Sequence, residues 1–167
     1  MSKFVRVLNA IKTHWDLSWL TDSQRQCLKE MQSQLRVPRT VNLYGRHGVG
    51  KTFLAWALAQ ESGLAYFPHL MVFRQTEGLG DDAVIIDNCL PVRSQHRNVL
   101  KALDFRGVKW AVLITSTLIQ DYTHYCELLL TPDDISKVQD NLESIGIKTE
   151  VTDVSSLWSV VNPYCTY

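Results

Sequence analysis

Apolar and polar positions fall in blocks along the chain. Ala83-Val84-Ile85-Ile86 is an uninterrupted apolar run with polar residues at both ends. That is the pattern of a parallel strand covered on both faces. Trp110-Ala111-Val112-Leu113-Ile114 repeats it, and Thr40-Val41-Asn42-Leu43-Tyr44 is a shorter β-rich run. Leu64-Ala65-Tyr66-Phe67 and Glu127-Leu128-Leu129-Leu130 are further strand candidates.

Helical spacings separate these runs. Phe4, Val5, Val7, Leu8 and Ile11 suit a short amphipathic helix. Thr21-Asp22-Ser23-Gln24 has the form of a capping box, in which the Thr hydroxyl takes the amide of Gln24 and the Gln24 side chain reaches back. Leu28, Met31 and Leu35 follow at helical spacing, and Pro38 stops the helix. Residues 53–59 read as a buried helix ending near Gly63, and residues 93–104 as another helix. Gly78, Gly80, Asp81 and Asp82 form a loop. Thr131-Pro132-Asp133-Asp134 supplies a cap, a proline at the first helical position and acids at the positive end of the helix dipole. Ile135, Val138, Leu142 and Ile145 then give that helix one apolar face. Residues 147–167 are expected to hold one more strand, at 148–151, and a short helix. Strands alternating with helices predict an α/β fold with helices on both faces of a parallel sheet. Such sheets bind ligands at the loop after a strand.

Composition changes this picture little. At 167 residues, 46% apolar and 20% charged, the chain fits one domain with a real core. We read 1–38 as a helical lead-in, 39–130 as the core and 131–167 as a reduced helical and acidic segment. Net charge is zero, which favours neither nucleic acid nor membrane as a partner. The charge is unevenly placed, however. Residues 1–110 carry a net of +6, residues 111–167 a net of −6, and no arginine follows Arg106. Cys27, Cys89, Cys126 and Cys165 form no close pair, and with no secretory signal they read as reduced thiols of a cytoplasmic protein. The five histidines lack metal-ligand spacing, and no apolar run approaches a membrane span.

The informative segment is Gly45-Arg46-His47-Gly48-Val49-Gly50-Lys51-Thr52, followed by Phe53. It matches G-x-x-x-x-G-K-[ST] at every fixed position. Glycines let backbone amides turn inward around a phosphate. Lys51 is positioned to reach the β and γ oxygens, Thr52 to ligate Mg²⁺, and the following helix aims its positive end at the anion. Average residue usage gives an accidental match in roughly one of a couple of hundred chains of this length. A strand before the loop and a helix after it make accident rarer still. Thr52 needs a second metal anchor, and Asp87, at the end of the 83–86 run and 36 positions after Lys51, has the right form. Its neighbour is Asn88, which has no basic lone pair for a proton but can orient a water.

These segments resemble the additional-strand P-loop ATPases, specifically a minimal AAA+ or STAND-type nucleotide-binding domain. The matching residues are Val41-Asn42-Leu43-Tyr44-Gly45 through Lys51-Thr52 (Walker A), Val84-Ile85-Ile86-Asp87 (Walker B) and Val112-Leu113-Ile114-Thr115-Ser116-Thr117 (the sensor-1 strand), within a likeness spanning about 22–130. The resemblance implies a three-layer fold with a sheet of about five strands, the Walker B and sensor strands lying beside the first. It implies ATP as the nucleotide, and Thr115 or Ser116 as a contact for the γ-phosphate or the attacking water. It also implies an acidic residue beside Asp87 and arginines after the sensor strand. This chain has Asn88 and no arginine there, leaving Arg93, Arg97 and Arg106 as candidate substitutes.

The leading expectation is therefore an Mg-ATP-binding switch of conformation or assembly, with hydrolysis weak or dependent on a partner. A homo-oligomer or a larger protein complex is the partner state such a switch would serve. An active ATPase working on nucleic acid is the alternative, although no recognition motif with interleaved aromatics occurs. A small-molecule kinase would need lid arginines that this chain lacks after residue 106. A GTPase would need an NKxD-type guanine-reading motif, which is absent.

Overall fold

The computed structural model describes residues 3–78, 80, 82–120, 122–149 and 155–161. Its sheet has five strands: β1 (Arg39–Tyr44), β2 (Ala65–Phe67), β3 (Ala83–Ile86), β4 (Trp110–Thr115) and β5 (Tyr125–Glu127). They lie in the order β2-β3-β4-β1-β5, and every neighbouring pair is parallel. β4 is inserted between β1 and β3, with Val112 opposite Val41 on one side and Ile85 on the other. Parallel pairing puts the ends of β1, β3 and β4 along one edge. The loop at Gly45, Asp87 and Thr115 therefore meet there.

The central strands carry no polar face because both faces are covered. Val41, Leu43, Ile85, Val112 and Ile114 pack with Leu28 and Met31 of α2 (Asp22–Gln34) and Leu54 and Leu58 of α3 (Lys51–Ser62). Val84, Ile86, Ala111 and Leu113 point the other way, onto Phe73 of α4 (Leu70–Gln75) and Val99 and Leu103 of α5 (Arg93–Phe105). This gives the three layers expected. A smaller cluster, Val7 with Ile135, Leu142 and Val160, joins α1 (Lys3–His14), α6 (Pro132–Ser144) and α7 (Trp158–Val161).

The capping signals hold atom by atom. Gln24 N donates to Thr21 Oγ1 while Thr21 N donates to Gln24 Oε1. Asp134 N donates to Thr131 Oγ1 while Thr131 N donates to Asp134 Oδ2. Asp134 also takes the amide of Ser23 on its other oxygen, so one carboxylate serves the starts of two helices. Burial raises the Asp134 pKa, but hydrogen bonds from Ser23, Thr131 and Thr21 outweigh it and hold the group below the usual carboxylate range.

Five points differ from the sequence expectation. The fifth strand runs over Tyr125–Glu127 rather than 127–130: Leu128 is buried, but Leu129 turns outward and is 60% exposed. Helix α4 was not anticipated, because six residues are too few to show a period. The Cys27–Cys126 pair is bonded, although 99 residues separate the two. The packing of α2 on β5 that brings them together cannot be seen in their spacing. On α6, Ile145 is the C-cap and only part-buried, while Asn141 is buried beside Leu142. In the proposed strand at 148–151, Lys148 and Thr149 belong to no strand, and 150 and 151 lie outside the described residues.

Candidate functional site

The turn that follows β1 is fixed by two glycines. A Cβ on Gly45 would stand 2.5 Å from the carbonyl oxygen of Leu128. Gly50 has φ +91 and forms the left-handed N-cap of α3, where a side chain would meet Gln24. No side chain caps α3, so its first-turn amides and positive dipole end are left to an anion.

Lys51 opens α3 and folds back over the loop. Its Nζ donates to Gly45 O at 2.6 Å and Arg46 O at 2.8 Å. Burial draws its pKa below the usual lysine range, and the nearby Asp87 charge opposes that shift. Both acceptors are neutral carbonyls, so the ammonium charge is held in place without being neutralised. The other loop side chains divide. Val49 is buried in the core, Arg46 is exposed, and His47 and Gly48 line the cleft. Phe53 packs edge-on to Trp15 and Trp56, at 5.2 and 6.4 Å between centroids.

Asp87, 2% exposed, is the hub of the polar network. Thr52 Oγ1 donates to its Oδ2 at 2.6 Å, and Tyr66 Oη donates to the same oxygen at 2.9 Å. Oδ1 takes the backbone amide of Asn88 at 2.7 Å. Burial and the Asp87 charge push the Tyr66 phenol above its ordinary value. Thr52 and Asp87 thus present hard oxygen donors side by side, a set suited to Mg²⁺. Among the described residues, no cluster of three or more His, Cys, Asp or Glu side chains could hold a metal.

The remaining candidates take different places. Asn88 sits at φ +51 and its side-chain amide donates to Pro68 O at 3.0 Å. Thr115 lines the cleft but is 2% exposed. Its hydroxyl accepts from Asn42 Nδ2 at 2.9 Å and donates to Thr117 O at 2.6 Å. Ser116 lines the same cleft. Arg106 is held elsewhere. Its guanidinium donates to Thr76 O and Arg74 O, at the end of α5 remote from the loop. It cannot substitute in cis for an arginine at the cleft.

The cleft encloses about 700 Å³, within the range of small-molecule sites. Its outer wall comes from the segments read as lead-in and tail: Leu8 and Ile11 of α1, Val138 and Leu142 of α6, and Leu157. Leu157 N donates to Gly48 O at 2.8 Å, and Gln24 Nε2 reaches Gly50 O at 3.4 Å. Tyr66, Gln24, Asn42 and Leu157 are the site residues that sequence reasoning missed as functional. Only Asn42, a lone polar residue in an apolar strand, carried a signal.

No protein-family model matches the chain. A 65-residue segment is 38% identical to the ATP-dependent zinc metalloprotease FtsH of Mycoplasma genitalium, covering 39% of this chain and 9% of that protein. Among solved structures, the AMPPCP-bound DnaA of Aquifex aeolicus superposes with a TM-score of 0.50 at 14% identity, over 78% of this chain and 55% of that one. A DNA replication initiation factor superposes with a TM-score of 0.55 at 13% identity, over 86% of this chain and 60% of that one. The chain therefore spans little more than half the length of these structures. The strand order, the loop and these likenesses together make this chain a P-loop domain of AAA+-like fold.

Proposed function

We propose that the chain binds ATP with Mg²⁺ between the Gly45–Thr52 loop and Asp87, as a switch of conformation or assembly that turns over weakly alone. The observation that carries this reading is the 2.6 Å contact of Thr52 with Asp87, beside an ammonium held by neutral carbonyls. The phosphates would lie on the loop amides and the start of α3, with Lys51 exchanging Gly45 O and Arg46 O for phosphate oxygens. Thr52 and Asp87 would hold Mg²⁺, which when bound supplies charge neutralisation of the phosphates.

Binding is favoured over rapid catalysis for a chemical reason. An attacking water must lose a proton, and Asn88 is an amide whose NH₂ is already given to Pro68 O. Neither α6 nor α7 carries an arginine to meet transferred charge, and the one cation on these two helices is Lys137 of α6. A partner could supply either group. The apolar outer wall of α1, α6 and Leu157 would register the nucleotide's presence, because those segments close the cleft.

Nucleotide co-purification with mass measurement, together with light scattering with and without ATP and Mg²⁺, tests ligand and assembly at once. Bound ATP with little phosphate release is the expected result. Robust turnover by the isolated protein would sink the switch reading.

A further inference from the structure

We propose that the outer face of α5 with the end of α4 is a binding groove for single-stranded nucleic acid. Arg93, Arg97, Lys101 and Phe105 recur at four-residue spacing along α5, and all four are exposed. They form one row about 20 Å long, from the cleft edge of the sheet to the opposite edge. Phe105 is 89% exposed, a large apolar surface that folding leaves in water. Beside it, Arg74, Asn98, Lys101 and Arg106 line a shallow groove.

Two of the three groove cations, Arg74 and Arg106, are held in place without being neutralised. Arg74 Nη2 donates to Asn98 O at 3.3 Å, and Arg106 donates to Thr76 O and Arg74 O while lying 4.9 Å over the Phe73 ring. Each of these partners is a neutral carbonyl or ring. Like charges four apart on a helix cost a few tenths of a kcal/mol per pair, a cost that a polyanion offsets. Among the described residues, Asp104 and Glu77 are exposed acids of the same segments, and Lys109 is paired with Asp82 at 3.2 Å. The groove thus keeps an excess of positive charge around one open aromatic ring. Cations on the backbone and a ring for base stacking are what a single strand requires. A duplex would hide its base faces from Phe105. An acidic protein surface would match the cations and leave the ring unexplained. The +6 balance of residues 1–110 agrees in sign.

This proposal is independent of the nucleotide site, so the two fail separately. The test is fluorescence anisotropy of the full chain with a labelled oligodeoxythymidylate, an oligouridylate and a duplex of equal length, across a salt series. Single strands of either sugar should bind better than the duplex, with a log–log salt slope of about −2 for the three groove cations. Phe105→Ala should weaken single-strand binding roughly five- to hundredfold, and the double variant Arg97→Glu with Lys101→Glu should abolish it. ATP affinity and melting temperature should stay unchanged in both variants, since the altered side chains are exposed. No single-strand binding at low salt would overturn the proposal. So would binding that survives Phe105→Ala unchanged. If instead the double variant dissociates a self-assembled species on sedimentation while no strand binds, the face is a contact between copies and the proposal fails.

Discussion

Thr52 Oγ1 lies 2.6 Å from Asp87 Oδ2, although 35 residues separate them in the chain. Each sits at the end of a different strand's connection, and β4 lies between those strands. The contact exists because β1 and β3 run parallel and end at one edge of the sheet. Tyr66 completes the arrangement from β2, donating to the same oxygen. The protein alone therefore satisfies a carboxylate that a metal would otherwise share.

Tyr66→Phe follows from that competition. Losing a hydrogen bond to a buried charged group costs about 1.5–3 kcal/mol, so denaturant unfolding of the nucleotide-free variant should show reduced stability. The freed lone pair should shift the Mg²⁺ requirement for nucleotide binding to lower concentration. A Mg²⁺ titration unchanged from the parent would mean Tyr66 does not compete at this oxygen.

Asn42 is expected to be indispensable to the β4 end. Its side chain donates to Leu113 O and Thr115 Oγ1 and accepts from Ile119 N, all in the buried layer. Asn42→Leu fits the volume but orphans these partners, at about 1–3 kcal/mol for an unsatisfied buried group. Thermal unfolding should show the loss even with Lys51 and Asp87 intact. A melting temperature equal to the parent's would contradict the network.

Asp134 predicts an acid-dependent stability. Its folded pKa lies below the usual value of 3.8 because three hydrogen-bonding partners outweigh burial. A depressed carboxylate contributes stability above its unfolded pKa and loses it as pH falls through the folded value. Asp134→Asn should therefore be destabilised near neutrality, by about 0.5–2 kcal/mol for a lost cap. Its stability difference from the parent should shrink below pH 3.8. Urea midpoints measured at neutral and acidic pH decide this, and a difference constant with pH would contradict it.

Asn88→Glu tests what limits hydrolysis. A carboxylate there could accept the water's proton, so phosphate release should rise. The position has φ +51, which non-glycine residues other than Asn and Asp rarely adopt, so a stability cost of about 1–2 kcal/mol should accompany the gain. If the variant folds, binds ATP and hydrolyses no faster, the absent cation is the better explanation.

The sequence was most legible where one physical demand dominated. The apolar runs at 83–86 and 110–114 have the pattern of strands covered on both faces, and they are. The two capping boxes were readable because their partners lie three residues apart. Within the site, the loop and Asp87 were visible as motifs. The Tyr66 contact was not, because it depends on β2 pairing with β3. The role of α1 and α6 as cleft walls was equally hidden, since it arises from packing between the two ends of the described chain. Leu129 shows the limit of apolar patterning: a leucine run continued the strand in sequence, but its middle residue faces water.

The most direct measurement is calorimetric titration of the protein with ATP, with Mg²⁺ and with EDTA, set beside Lys51→Ala. The loop assignment predicts Mg²⁺-dependent binding that Lys51→Ala abolishes while the fold, followed by circular dichroism, persists. Micromolar affinity retained by Lys51→Ala would contradict it.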